Sequence, residues 1–102
     1  MRFINLTPHN IKLNDGREFP SEGIARIADS YTEFNRNLTC HVEYGDIVNL
    51  PAPQKDITYI VSSMVLGIAK KKGRKDVVAP ATGHPLCKRE NGLIVSVPGF
   101  VS

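Results

Sequence analysis

The stretch from Tyr59 to Gly83, YIVSSMVLGIAKKKGRKDVVAPATG, constrains this chain more than any other. Two apolar runs, Tyr59 to Val61 and Val77 to Ala79, flank a segment that reads as one short helix, about Ser63 to Lys72. A strand, a helix and a second apolar strand in that order make a crossover unit, usually right-handed when the strands are parallel. Met64, Val65, Leu66, Ile68 and Ala69 leave little polar surface on the first two turns, which predicts a largely buried helix. Gly67 in its middle costs roughly 1 kcal/mol against Ala, so close packing on a neighbouring strand is expected there. The lysines of the last turn complement the helix dipole, and Gly73 suits the position just past the helix end. Two polar patches then gather at one end of the strands: Ser62-Ser63 where the helix starts, and Pro80-Ala81-Thr82-Gly83 after the second strand. Ligands of open α/β sheets favour that end.

The flanking segments read as short strands and turns. Phe3 to Leu6 is a strand stopped by Thr7-Pro8-His9, because proline cannot donate to a ladder. Ile11 to Leu13 and Arg17 to Phe19 enclose Asn14-Asp15-Gly16, a turn signal, and predict a hairpin. Ile24 to Ala28 reads as a strand with Arg26 facing out. Asp29 to Thr39 is polar and is assigned to a loop, the best candidate for a mobile flap. Cys40 to Tyr44 alternates as a strand, Gly45-Asp46 turns the chain, and Ile47 to Leu50 is a buried strand. Pro51 to Asp56 is a stiff spacer. The strongest hairpin signal is Asn91-Gly92, between Leu86-Cys87 and Leu93-Ile94-Val95. The expected fold is one β-rich domain over residues 1–102, α+β or small α/β. It should have about six to seven short strands, one dominant helix and a C-terminal hairpin.

Composition narrows the function classes. Hydrophobic residues at 41% and charged residues at 23% describe an ordinary globular chain. No apolar run approaches the roughly 20 residues that span a bilayer. Asn5 and Thr7-Pro8-His9 interrupt any signal-peptide core, so a cytoplasmic, membrane-free protein is expected. Cys40 and Cys87 are too few for a disulfide framework. His84-Pro85-Leu86-Cys87 has a usable zinc spacing, but the adjacent Cys40-His41 rarely chelates one metal, so no metal or cofactor is expected. The formal charge of +3 is mild, and most of the excess sits in Lys70-Lys71-Lys72-Gly73-Arg74-Lys75. That run is a solvated helix end, or an attraction for phosphates; aromatic interleaving for base stacking is absent beside it.

Asn5-Leu6-Thr7-Pro8-His9, then Tyr59-Ile60-Val61-Ser62, then Arg74-Lys75-Asp76-Val77-Val78-Ala79-Pro80, and a final hairpin follow one another along nearly the whole chain. In that order they resemble a group of small proteins encoded by bacteriophages and prophages. The Lys70 to Lys72 run departs from the pattern by its length. The resemblance transfers no catalytic residues; it implies a viral accessory protein. Accessory proteins of this size often counter host defence, by binding a defence protein or sequestering a nucleotide signal.

The candidate ligand-binding residues are Thr7, His9, Ser62, Ser63, Arg74, Asp76, Thr82 and Gly83. Ser62 and Ser63 serve as a helix N-cap, or hold a phosphate if Arg74 folds back to supply a cation. No glycine-rich phosphate motif is present. Arg74 and Asp76 are either a structural ion pair or part of the site, and Pro80 to Gly83 is either a plain turn or a ligand loop. The first functional reading is an accessory module that binds a phosphate-containing small ligand or a host defence protein. Exposed strand edges favour a homo-oligomer. The alternatives are a small enzyme acting on a nucleotide or nucleoside, with His9 or Asp76 as acid or base, and a nucleic-acid binder using Lys70 to Lys75.

Overall fold

Strand β6 (Ile57–Ile60) lies inside a four-stranded mixed sheet, and the apolar residues at its end, Tyr59 and Ile60, reflect burial on both faces. The computed structural model describes all 102 residues. In chain order the other elements are β1 (Arg2–Asn5), β2 (Ile11–Lys12), β3 (Glu18–Phe19), β4 (Arg26–Tyr31) and β5 (Val42–Val48). After β6 come α1 (Ser63–Lys71), β7 (Val77–Pro80), β8 (Lys88–Glu90), β9 (Leu93–Ser96) and β10 (Phe100–Val101). The main sheet is ordered β1-β6-β7-β10. Its first three strands are parallel, and β10 is antiparallel to β7. With β6, α1 and β7 in sequence, the expected crossover unit is the centre of an α+β domain.

The strand period of two divides the core into two layers. On one face Tyr59, Val61, Val77 and Ala79 meet Val65, Leu66 and Ala69 of α1. On the other, Ile60 packs with Ile11, Leu13 and Val97, with Phe3, Phe19, Val78 and Phe100 half-buried around them. Phe3 stacks on Phe100 at 5.3 Å between ring centroids, and Phe19 meets both edge-on at 5.5 and 5.8 Å. That aromatic triad closes the second layer.

Both helix ends follow from local chemistry. Ser62 is the N-cap, its Oγ accepting from the Val65 amide at 3.4 Å. At the other end Gly73 takes φ +82°. Its amide donates to Lys70 O and that of Arg74 to Ala69 O, both at 3.0 Å, which is a Schellman motif.

The helix is amphipathic rather than largely buried. Met64 is 59% exposed, and Gly67 lies on the solvent side, where an added Cβ would meet nothing within 4 Å. The close glycine contact is at Gly45 instead. An added Cβ there would stand 2.6 Å from the Ala28 carbonyl oxygen. Gly45-Asp46 is accordingly not a turn. The two residues form a bulge opposite Ala28, and β5 runs through them as one strand. Asp29 to Tyr31 belongs to β4 and is not loop. The end of this ribbon is hydrogen-bonded: Asn35 Oδ1 accepts from the Asn37 and Thr39 amides, and Thr32 and His41 exchange two bonds.

The C-terminal hairpin forms around Asn91-Gly92, with φ of 51° and 79° as a type I′ turn requires. Its first strand is β8, starting at Lys88 rather than Leu86. Ten short strands replace the expected six to seven. Of the two-residue strands, β2 and β3 form the expected N-terminal hairpin, whereas β10 carries no periodic signal. No helix is long and apolar enough to cross a membrane.

Candidate functional site

At the C-terminal ends of β1, β6 and β7 the chain leaves a groove of about 470 Å³, within the range of small-ligand sites. Three segments build it. Thr7 to Lys12 follows β1, Ser62-Ser63 follows β6, and Pro80 and Thr82 follow β7, while Ile94 to Val97 of the C-terminal hairpin form the far wall.

The first segment is held by Asn5, which is wholly buried. Its Nδ2 donates to His9 O and to Phe19 O, both at 2.7 Å. Its Oδ1 accepts from the Thr7 amide at 2.9 Å and from Thr7 Oγ1 at 2.6 Å. One side chain therefore ties the Thr7-Pro8-His9 turn to β3, and every polar atom of that amide is used. Ser21 Oγ adds a bond to Thr7 O at 2.6 Å.

Several polar groups around the groove are already committed. Thr7 Oγ1 is engaged with Asn5, Ser62 Oγ caps the helix, and Ser96 Oγ donates to Asn14 Oδ1 at 2.6 Å. The uncommitted ones are the Lys12 ammonium, the His9 imidazole and the hydroxyls of Ser63 and Thr82. To these the helix start adds the amide of Ser63, which an α-helix leaves without an internal acceptor. No carboxylate lines the groove; the nearest one named by a contact is Glu18, which accepts from Asn10 Nδ2 at 3.1 Å. The lining thus carries a helix N-terminus and one lysine, with Glu18 directly across the β2–β3 pair from Lys12. Pro8, Pro80, Ile94 and Val95 give it apolar walls.

Thr7, His9, Ser62, Ser63 and Thr82 thus come together as candidate residues. Gly83 is exposed and stands outside the lining. Arg74 and Asp76 lie elsewhere. The helix runs back against the parallel strands, and its nine residues carry the chain about 14 Å away from Ser62. Arg74 grips Asp76 through Nε–Oδ1 at 2.9 Å and Nη2–Oδ2 at 2.8 Å, and Nη2 also donates to Pro51 O at 2.8 Å. Those bonds hold the Asp76 carboxyl below the usual aspartate range and raise the Arg74 guanidinium. This is the structural ion pair, at the opposite end of the sheet from the groove. The cation supplied to the groove is Lys12.

Lys12, Asn10 and the Ile94 to Val97 wall were absent from the residues singled out in sequence. Lys12 did carry a signal: it sits between buried Ile11 and Leu13, so it must face away from their layer. The hairpin wall gave none, because its approach to the groove is a tertiary contact. No group of three or more His, Cys, Asp or Glu side chains is placed to hold a metal ion. No family model, curated protein sequence or solved structure matches the chain.

Proposed function

We propose that the protein is a binding module for a small phosphate-bearing ligand of the nucleotide class, held in the groove at the start of α1. The observation that carries this reading is the uncommitted set, the Ser63 amide at the helix start, the Ser63 and Thr82 hydroxyls and Lys12, on residues that line one groove with no carboxylate in its lining. A phosphate would sit on the helix N-terminus with Lys12 as counter-charge, and a flat base against Pro8, Ile94 and Val95. The reading is binding without turnover. The resemblance to phage and prophage proteins supports a role as an accessory protein that withdraws a nucleotide signal in a host cell.

The nucleic-acid reading is weaker. Of the run Lys70 to Lys75, Lys72 is bonded to Asp46 at 2.7 Å and Arg74 to Asp76.

Thermal-shift titration with mononucleotides, cyclic dinucleotides and inorganic phosphate tests the reading. A ligand at about 100 times its Kd adds about 2.7 kcal/mol to the folded state, which raises Tm by several degrees. The rise should be lost in Lys12→Glu. No shift with any phosphate compound at millimolar concentration would overturn it.

A further inference from the structure

We infer that the β4–β5 ribbon is a dimerisation arm that docks on the β8–β9 hairpin of a second copy of this chain. The Cα radius of gyration is 15.8 Å, against about 13 Å for a compact chain of this length. Strands β4 and β5 pair only with each other. A lone two-stranded ribbon is marginal in water unless one face is covered.

The register places Ile27, Ile47, Tyr44, Tyr31 and Val42 on one face. Its inner end, Ile27 and Ile47, packs on the chain's own core. Beyond it Tyr44 is 54% exposed, Tyr31 70%, and at the tip Phe34 is 71% and Leu38 82% exposed. Leu38 also holds a left-handed backbone at φ 61°, a strained choice for a bulky residue that no contact of its own side chain offsets.

Charge identifies the occupant. Within Arg26 to Val48, Asp29, Glu33, Glu43 and Asp46 outnumber Arg26 and Arg36, so the ribbon is acidic while the remainder holds the whole positive excess. Two ribbons packed on each other would set like charges together. The β8–β9 hairpin has the complementary character: Lys88 and Arg89 outnumber Glu90, which pairs with Leu93, and Leu93 and Leu86 are 74% and 63% exposed. A two-fold dimer makes this contact twice. Each arm offers roughly 400–500 Å² of aromatic and leucine side chain. Two arms with their matching surfaces reach the roughly 1,200–2,000 Å² of a stable interface.

Sedimentation equilibrium on the full chain, from about 5 to 200 µM and at low and high salt, tests the inference. The wild type should be a dimer that weakens with salt. Tyr31→Ser with Phe34→Ser should raise the dimer Kd at least about 100-fold, with unchanged far-UV circular dichroism because both residues are exposed. Asp29→Lys with Glu33→Lys, both on the docking face by strand alternation, should also give monomers, and adding Lys88→Glu and Arg89→Glu to that variant should restore the dimer. A wild type that stays monomeric, a dimer indifferent to the arm substitutions, or a charge exchange that restores nothing would each overturn the inference.

Discussion

Replacing Asn5 by Ala should cost about 2–6 kcal/mol, more than its small volume suggests. The side chain is wholly buried and makes four hydrogen bonds, two to backbone carbonyls and two from Thr7. Each buried group left unpaired costs about 1–3 kcal/mol, and each lost bond to a group that water can reach about 0.5–1.5. The Thr7 amide belongs to the first kind, Thr7 being only 9% exposed. The His9 and Phe19 carbonyls belong to the second, since neither residue is buried. One full penalty and two partial ones give the total. It is a large share of the roughly 5–15 kcal/mol available to a domain. Urea unfolding should therefore show a lower midpoint with an unchanged m value. Asn5→Asp sharpens the test. A carboxylate there would face the same two carbonyl oxygens with no cation bonded to it, so its folded pKa rises above the unfolded value near 3.9. With a raised folded pKa, stability is retained below the unfolded pKa and lost as pH climbs through the folded one. The deficit of this variant against wild type should thus shrink on acidification. A loss below about 1 kcal/mol for Asn5→Ala would refute the claim that this amide holds the Thr7-Pro8-His9 turn.

Other perturbations follow from the same geometry. Gly67→Ala should stabilise by about 0.5–1 kcal/mol, because its Cβ enters open space on a helix. Gly45→Ala should destabilise, because its Cβ meets the Ala28 carbonyl at 2.6 Å; thermal melts of the two variants should move in opposite directions. Asp76→Asn removes the charge from the Arg74 pair, whose side chains are 19% and 18% exposed, and should cost about 1–3 kcal/mol at neutral pH. Asp76 has a depressed folded pKa, so its contribution is present above the unfolded value near 3.9 and fades as pH falls through the folded one. The wild-type and Asp76→Asn unfolding curves should therefore converge in acid, and a gap that persists there would contradict the pairing.

The parts of the fold that could be read in advance are those whose signals are local. Tyr59 to Val61 is apolar without a break because β6 is buried on both sides, and Ser62 and Gly73 mark the helix ends by capping chemistry. Asn91-Gly92 announces its hairpin because only such residues take two successive left-handed conformations. Gly45 and Gly67 misled in opposite directions. A glycine in a polar strand resembles a turn, and one in an apolar helix resembles a packing contact. What each replaces is decided by a neighbour distant in sequence: Ala28 for Gly45, nothing for Gly67. The structural role of Asn5 has no local signal, because its partners include a backbone atom 14 residues away. Arg74 can join the serines only if the chain folds back. The crossover connection forbids that, since a helix returning along parallel strands separates its own ends.

The most direct test of the binding site is an amide-resolved NMR titration with a nucleoside monophosphate, using inorganic phosphate for comparison. The account predicts saturable shifts at the Ser63 amide, with Lys12, His9 and Thr82 moving alongside and Arg74 and Asp76 still. Shifts confined to the Lys70 to Lys75 surface, or none at the start of α1 at about 10 mM ligand, a concentration that fills any site with Kd of 1 mM or better, would contradict it.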